Sequence, residues 1–212
     1  MTFFTKNFPA VNLHLDFIRD IKFNFPQDLQ KQAERSYSGF ENFISANPLC
    51  LERSNLAGHL TASAFITNNE FDSVLLLLHR KLKKWLQPGG HADGEVNLLN
   101  VAANEVYEEV GLNQFNIFGR ASYEVFDLDI HDIPETQGVP AHKHYDVRFL
   151  FRADARNDIK KNHESEQLQW ISLDKVQDFN KEGSISRMAN KLIQMRPHLQ
   201  QKSFWHPLDF SL

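Results

Sequence analysis

The chain has 212 residues, 42% hydrophobic and 24% charged, enough to bury a sizeable core as one medium domain or a domain with an added subdomain. Its 23 Lys+Arg against 27 Asp+Glu give a net charge of −4, which excludes the broad phosphate-neutralising surface of a general nucleic-acid binder and makes any phosphate contact local. The single cysteine, Cys50, excludes an intrachain disulfide, and the longest strongly apolar run, residues 74–78, is too short to span a bilayer. Asn7, Pro9 and His14 interrupt the start of the chain, where a secretory signal needs an unbroken apolar stretch, so a soluble cytoplasmic protein with no membrane contact is expected.

Leu13, Phe17 and Ile21 and, after Pro26, Leu29, Ala33, Phe40, Phe43 and Ile44 recur at helical spacing. They predict two or three amphipathic helices within residues 1–52, stopped near Asn47-Pro48. From Gly58 the pattern alternates, and Asn68-Asn69 separates two runs that read as a hairpin. The second run, residues 74–78, is apolar on both faces, as a covered central strand requires. Residues 85–90 read as a short strand entering a turn, and residues 97–110 as the clearest helix in the chain. Further strands are predicted at 115–118, 122–130, 144–151 and 169–171, with a loop between Asp132 and Ala141. Helices follow at 173–179 and 185–195, the last stopped by Pro197. The expected architecture is of the α+β class, with strands and helices around a central sheet. A domain over residues 53–212 follows a helical segment over residues 1–52.

The helix at 97–110 carries the chemistry. Asn97 is a favourable N-cap, Leu99, Ala102, Ala103, Val106 and Val110 form its apolar stripe, and Gly111 stands where a left-handed C-terminal residue is wanted. Glu105, Glu108 and Glu109 crowd one flank, where each like-charge pair costs roughly 0.2–0.5 kcal/mol. Two of them also sit in the last turn, against the helix dipole, for about 0.3–1 kcal/mol more. A hard divalent cation reverses the sign of both terms, because converging carboxylate oxygens are what magnesium or manganese prefers. The plain alternative is a solvated acidic face.

The surrounding residues resemble the signature of the Nudix hydrolases: Gly, five residues, Glu, seven residues, Arg-Glu-U-x-Glu-Glu-x-Gly-U, with U a bulky aliphatic. Here Gly90-His91-Ala92-Asp93-Gly94-Glu95-Val96 opens the box and Asn104-Glu105-Val106-Tyr107-Glu108-Glu109-Val110-Gly111-Leu112 closes it, at the family's spacing. The resemblance covers about residues 55–180. It implies an α-β-α sandwich with a central mixed sheet, here carrying an N-terminal helical extension. It also implies a metal-dependent hydrolase that cleaves a diphosphate linkage in a nucleoside diphosphate derivative by attack of a metal-activated water. Mg2+ or Mn2+ would be held by Glu105, Glu108 and Glu109, and the expected partner is a small-molecule nucleotide, with a homodimer as an open option.

Two positions depart from the signature. Val96 replaces its first glutamate and Asn104 its arginine, residues that in the family pair with each other and brace the loop. Losing both halves leaves no orphan charge, so the implied activity is weakened rather than abolished. A catalytically weak or inactive nucleotide- or protein-binding module is the competing reading.

A carboxylate has to accept the proton of the attacking water. Glu105 or Glu108 qualifies within the box, and Glu164 is the best candidate outside it, ahead of Glu166 and Glu135. Substrate-side candidates are Gly90, His91 in the turn, the His142/His144 pair in a row with Asp146 on one strand face, and Arg148 as a phosphate clamp. The histidine pair also suits a second metal site, whereas His59 reads as a satisfied core histidine. The basic run of Arg80, Lys81, Lys83 and Lys84 reads equally as a phosphate contact or a solvated cluster, and Trp85 and Tyr123 as base-stacking or core aromatics.

Overall fold

The structure, a computed structural model, describes residues 26–119, 124–136, 138–181 and 183–209; the helix expected around residues 13–21 and the aromatic Tyr123 lie outside them. One long helix, α1 (Gln27–Ala46), precedes strands β1 (His59–Thr67), β2 (Ser73–His79), β3 (Trp85–Leu86) and β4 (Gly89–His91). Helix α2 (Leu98–Val110) follows, then β5 (Gln114–Phe118), β6 (Val125–Ile133), β7 (His142–Arg152) and β8 (Ser165–Ser172). A 3-10 turn at Leu173–Lys175 leads into short α3 (Val176–Phe179), then α4 (Gly183–Met195) and β9 (Trp205–Asp209).

The nine strands of the described residues join one mixed sheet. Its axis is the parallel pair β1 and β7, in register from His59↔His144 to Thr67↔Arg152. Each axial strand serves two antiparallel neighbours. Thr61–Ser63 of β1 pair with β4 and Ile66–Thr67 with β2, while β7 gives its first half to β6 and its end to β5. Strands β3 and β8 extend the sheet from β2, and β9 extends it from β5. The hairpin expected at Asn68-Asn69 is present, closed by Asn68 Oδ1, which accepts the N–H groups of Asp72 and Ser73 at 3.0 and 3.1 Å.

Strand β2 is the covered run that its composition implies, with Val74, Leu75, Leu76 and Leu77 all buried. On β1 the alternate residues Leu60, Ala62 and Ala64 face one side, toward α2, and His59, Thr61 and Ser63 face the other. Helix α1 buries Ala33, Phe40 and Phe43 in the same core, with Phe43 stacked on Tyr145 of β7 at 3.8 Å between ring centroids. Strand β9 was not anticipated from the sequence; Pro207 fits within it because at the sheet edge a missing N–H costs nothing.

Candidate active site

Helix α2 buries Leu98, Leu99, Val101, Ala102, Ala103, Val106 and Val110, so its packing against β1 and β4 fixes which flank faces outward. Its C-terminus is as expected: Gly111 adopts φ 72° and its N–H reaches the Tyr107 carbonyl at 3.1 Å. The N-terminus differs. The Asn97 carbonyl starts the helix, but its side chain makes no capping bond; instead the Glu95 carboxylate accepts the Asn97 N–H at 2.7 Å. Glu95 thus spends itself on the turn. Val96 and Asn104 are both exposed to solvent.

Of the three glutamates, Glu109 is buried, Glu105 half-buried and Glu108 exposed. Glu109 Oε2 accepts the backbone N–H of Gly89 at 3.0 Å, which pins the helix flank to β4. Burial pushes the Glu109 carboxyl up to about 8 even against that bond, with Glu105, Glu164 and Glu108 adding to the rise. Burial likewise lifts Glu105 to about 7, helped by Glu108 and Glu164. Gly90 lets the Glu105 carboxylate occupy its present place, because a Cβ there would overlap Glu105 Oε1 and displace it. Closely spaced carboxylates that resist ionisation while alone are a donor set that fits a hard divalent cation.

Glu164 lies in the loop before β8 and acts electrostatically on both Glu105 and Glu109, so the structure brings together residues that are far apart in sequence. Arg80 anchors this loop: its backbone N–H reaches the Glu164 carbonyl at 2.7 Å and its Nε the His163 carbonyl at 2.8 Å. Lys83 pairs with Glu166 at 2.5 Å, and that bond holds the Glu166 carboxyl below its ordinary range. Two members of the basic run are therefore committed to this loop. Glu135 is exposed in the segment after β6, and Trp85 packs edge-on against Phe179 at 5.5 Å, a core contact rather than an open stacking face.

One cation was missed in the sequence. Arg53, in the loop between α1 and β1, is ion-paired with Asp93 of the glycine turn and exerts its field on Glu105. Asp93 adopts φ 47°, a left-handed backbone that aspartate tolerates better than most residues. Nothing in the spacing of two residues 40 positions apart signals the pair.

The opposite face of the sheet corrects two expectations. Arg148 is buried and is no free phosphate clamp. It donates to Asp146 at 2.7 Å and Asp129 at 3.1 Å and faces Asp127, all on β6 and β7. Asp146 also accepts Thr61 and Ser63 at 2.9 Å each, while Arg187 and Lys191 of α4 complete the neutralisation of Asp127. His59 is no satisfied core histidine either. It is 3% exposed, neither ring nitrogen meets good hydrogen-bond geometry, and burial depresses its protonation, offset only in part by a weak hydrogen bond to the Asn55 backbone. His91, His142 and His144 gather around it. Burial drives His91 down to about 4 and lowers His144 further, so both imidazoles are neutral at pH 7.

A family model described as NUDIX domain matches residues 58–192. The chain belongs to the Nudix family. The Nudix match runs on to α4, past the residue near 180 where the sequence resemblance ends. Among solved structures, a C. elegans Ap4A hydrolase binary complex aligns at TM-score 0.50 and 18% identity, covering 66% of this chain and 96% of that one. The E. coli dihydroneopterin triphosphate pyrophosphohydrolase aligns at 0.51 and 16% identity, covering 63% and 94%. A Nudix family hydrolase from Clostridium perfringens is 25% identical at TM-score 0.49, with 65% and 97% covered. The first two similarities establish the Nudix fold, a mixed sheet with helices, here with α1 in front of it. No curated protein matches the chain. Among the described residues, no helix is long and apolar enough to cross a membrane.

Proposed function

We propose that this Nudix protein is a pyrophosphohydrolase that cleaves a diphosphate linkage in a small nucleoside diphosphate derivative. The observation that carries this reading is the burial of Glu109 and Glu105 against Gly89 and Gly90, which leaves two carboxylates poorly ionised until a cation arrives. Glu105, Glu108 and Glu109 would hold Mg2+ or Mn2+, which when bound supplies charge neutralisation at the diphosphate and acidifies the attacking water. Gly90, lacking a side chain, lets the Glu105 carboxylate lie against β4, where a bound diphosphate would meet the cation. Arg53, held by Asp93, offers a guanidinium to the same anion. Glu164 is assigned the role of accepting the proton from water, because it is the loop carboxylate that acts on both glutamates while Glu166 is tied to Lys83.

The test is hydrolysis. Purified protein with Mg2+ or Mn2+ is offered nucleoside triphosphates, sugar nucleotides, ADP-ribose, dinucleoside polyphosphates and capped RNA. Cleavage of at least one, lost in Glu109→Gln, is expected; cleavage untouched by Glu109→Gln overturns the assignment. Val96 and Asn104 favour a second reading, a nucleotide-binding module without turnover. Retained nucleotide binding with no cleavage of any substrate would select it.

A further inference from the structure

Five of the ten histidines meet on the sheet face turned away from the glutamates of α2. Strand register explains how. His59 lies opposite His144, His144 opposite His131, and Thr61 opposite His91, so three backbone pairings bring imidazoles from β4, β1, β7 and β6 into one patch. Alternation along β4 separates this patch from the carboxylates: Gly90 turns to Glu105, and His91, the next residue, turns to His59.

We infer that His59, His91 and His144 form a binding site for a divalent transition-metal ion of the zinc class, with His142 facing the fourth position. One nitrogen from each of the three imidazoles lies within 4.8 Å of the others. Tetrahedral zinc, with bonds of about 2.0–2.1 Å, needs ligand atoms about 3.3 Å apart, a contraction that small side-chain rotations supply. His142 Nε2 and His144 Nε2 already stand at 3.3 Å.

The patch is built rather than incidental. A buried polar group without a good partner is costly, and His59 is 3% exposed, with no well-formed hydrogen bond beyond a weak one to the Asn55 backbone and with other imidazoles around it. His142 Nδ1 donates to the Pro140 carbonyl at 2.8 Å, which leaves the Nε2 lone pair facing His144. At the rim His131 Nδ1 lies 3.1 Å from Asp129, the carboxylate that Arg148 and Arg187 hold in place. Carbonyl or carboxylate partners behind imidazoles are what orient histidines for a metal. His91 and His144 are half-buried, so the ion has a route in. An all-imidazole donor set selects zinc, copper, nickel or cobalt over magnesium, which takes oxygen ligands.

The experiment uses the untagged full chain, stripped with chelator and titrated with Co2+ in excess Mg2+. One Co2+ per chain is expected, with the intense visible bands of four-coordinate cobalt, displaced by one equivalent of Zn2+. Those bands should survive Glu105→Gln and Glu109→Gln, which keeps this result separate from failure of the hydrolase reading. His91→Asn, at a half-buried position, should weaken Co2+ by more than about 100-fold, beyond the roughly 10- to 100-fold typical of removing a partner behind a ligand. His144→Asn should abolish the bands, with far-UV circular dichroism unchanged for both variants. Weak bands of six-coordinate cobalt, or bands lost in Glu109→Gln and kept in His91→Asn, would overturn the site.

Discussion

Glu109 accepts the backbone N–H of Gly89 at 3.0 Å, so a carboxylate from the last turn of α2 is fastened to the strand that carries the glycine turn. The bond fixes the depth at which the acidic flank sits, and that depth gives the flank its unusual protonation.

Without metal, stability should fall as pH rises. Burial holds the Glu109 carboxyl at about 8, against an unfolded value of 4.5, so between these limits the folded chain keeps a proton that the unfolded chain has lost. In chelator the unfolding free energy should be lower at pH 9 than at pH 7, by about 1 kcal/mol or more, a window in which His59, His91 and His144 are largely neutral both folded and unfolded. Glu109→Gln should flatten most of that slope in thermal denaturation monitored by circular dichroism. An unchanged slope would locate the proton elsewhere.

Neighbouring glycines should respond differently to one methyl group. Gly90→Ala meets the flexible end of Glu105, which can rotate away, so stability should change by less than about 1 kcal/mol while hydrolysis drops by at least tenfold. Gly89→Ala meets the Cβ and Cα of Ser63 and the carbonyl of Ala62 in the paired strand. It should destabilise by about 1–3 kcal/mol, as overpacking does, and chemical denaturation distinguishes the two.

The absent brace should be inexpensive to restore. Val96 is 48% exposed and Asn104 is also exposed, so Val96→Glu alone keeps a hydrated carboxylate and should move stability by no more than about 0.5 kcal/mol. Val96→Glu with Asn104→Arg should add at most about 1 kcal/mol and tighten Mg2+ dependence. If the double variant equals the single one, the two side chains do not meet.

Lys191 should be among the most sensitive positions. It is buried against Asp127, whose ionised form burial disfavours but Lys191, Arg187 and Arg148 restore, holding the carboxyl below its ordinary value. Lys191→Met should cost about 3–5 kcal/mol, and adding Asp127→Leu should recover part of it, as read by urea denaturation. A carboxyl lowered on folding contributes stability above its unfolded value near 3.8, so this share fades as pH drops below about 4.

The sequence showed most of the carboxylate site, because Gly90, Glu105, Glu108, Glu109 and Gly111 lie on one strand-turn-helix unit whose periodicity is local. What it hid depended on strand register. That His59 would sit among other imidazoles requires knowing that β1 pairs in parallel with β7, and no local pattern reports a pairing 85 residues away. Arg148 misled for the same reason: two of its three aspartate partners, Asp127 and Asp129, are set by the pairing of β6 with β7. Asn97 misled more simply, since Glu95, two residues earlier, competes for the same turn.

The buried ionic cluster also bears on the order in which this protein comes into being. Asp127 and Asp129 are synthesised about 60 residues ahead of Arg187 and Lys191. A nascent chain that ends before Arg187 therefore holds every axial strand but three aspartates answered by a single arginine. The ribosome has to deliver the last long helix before the centre of the sheet can shed its water. Commitment to the native state is thereby deferred until α4 has been made, and a chain truncated ahead of α4 should be found by proteases in an open form.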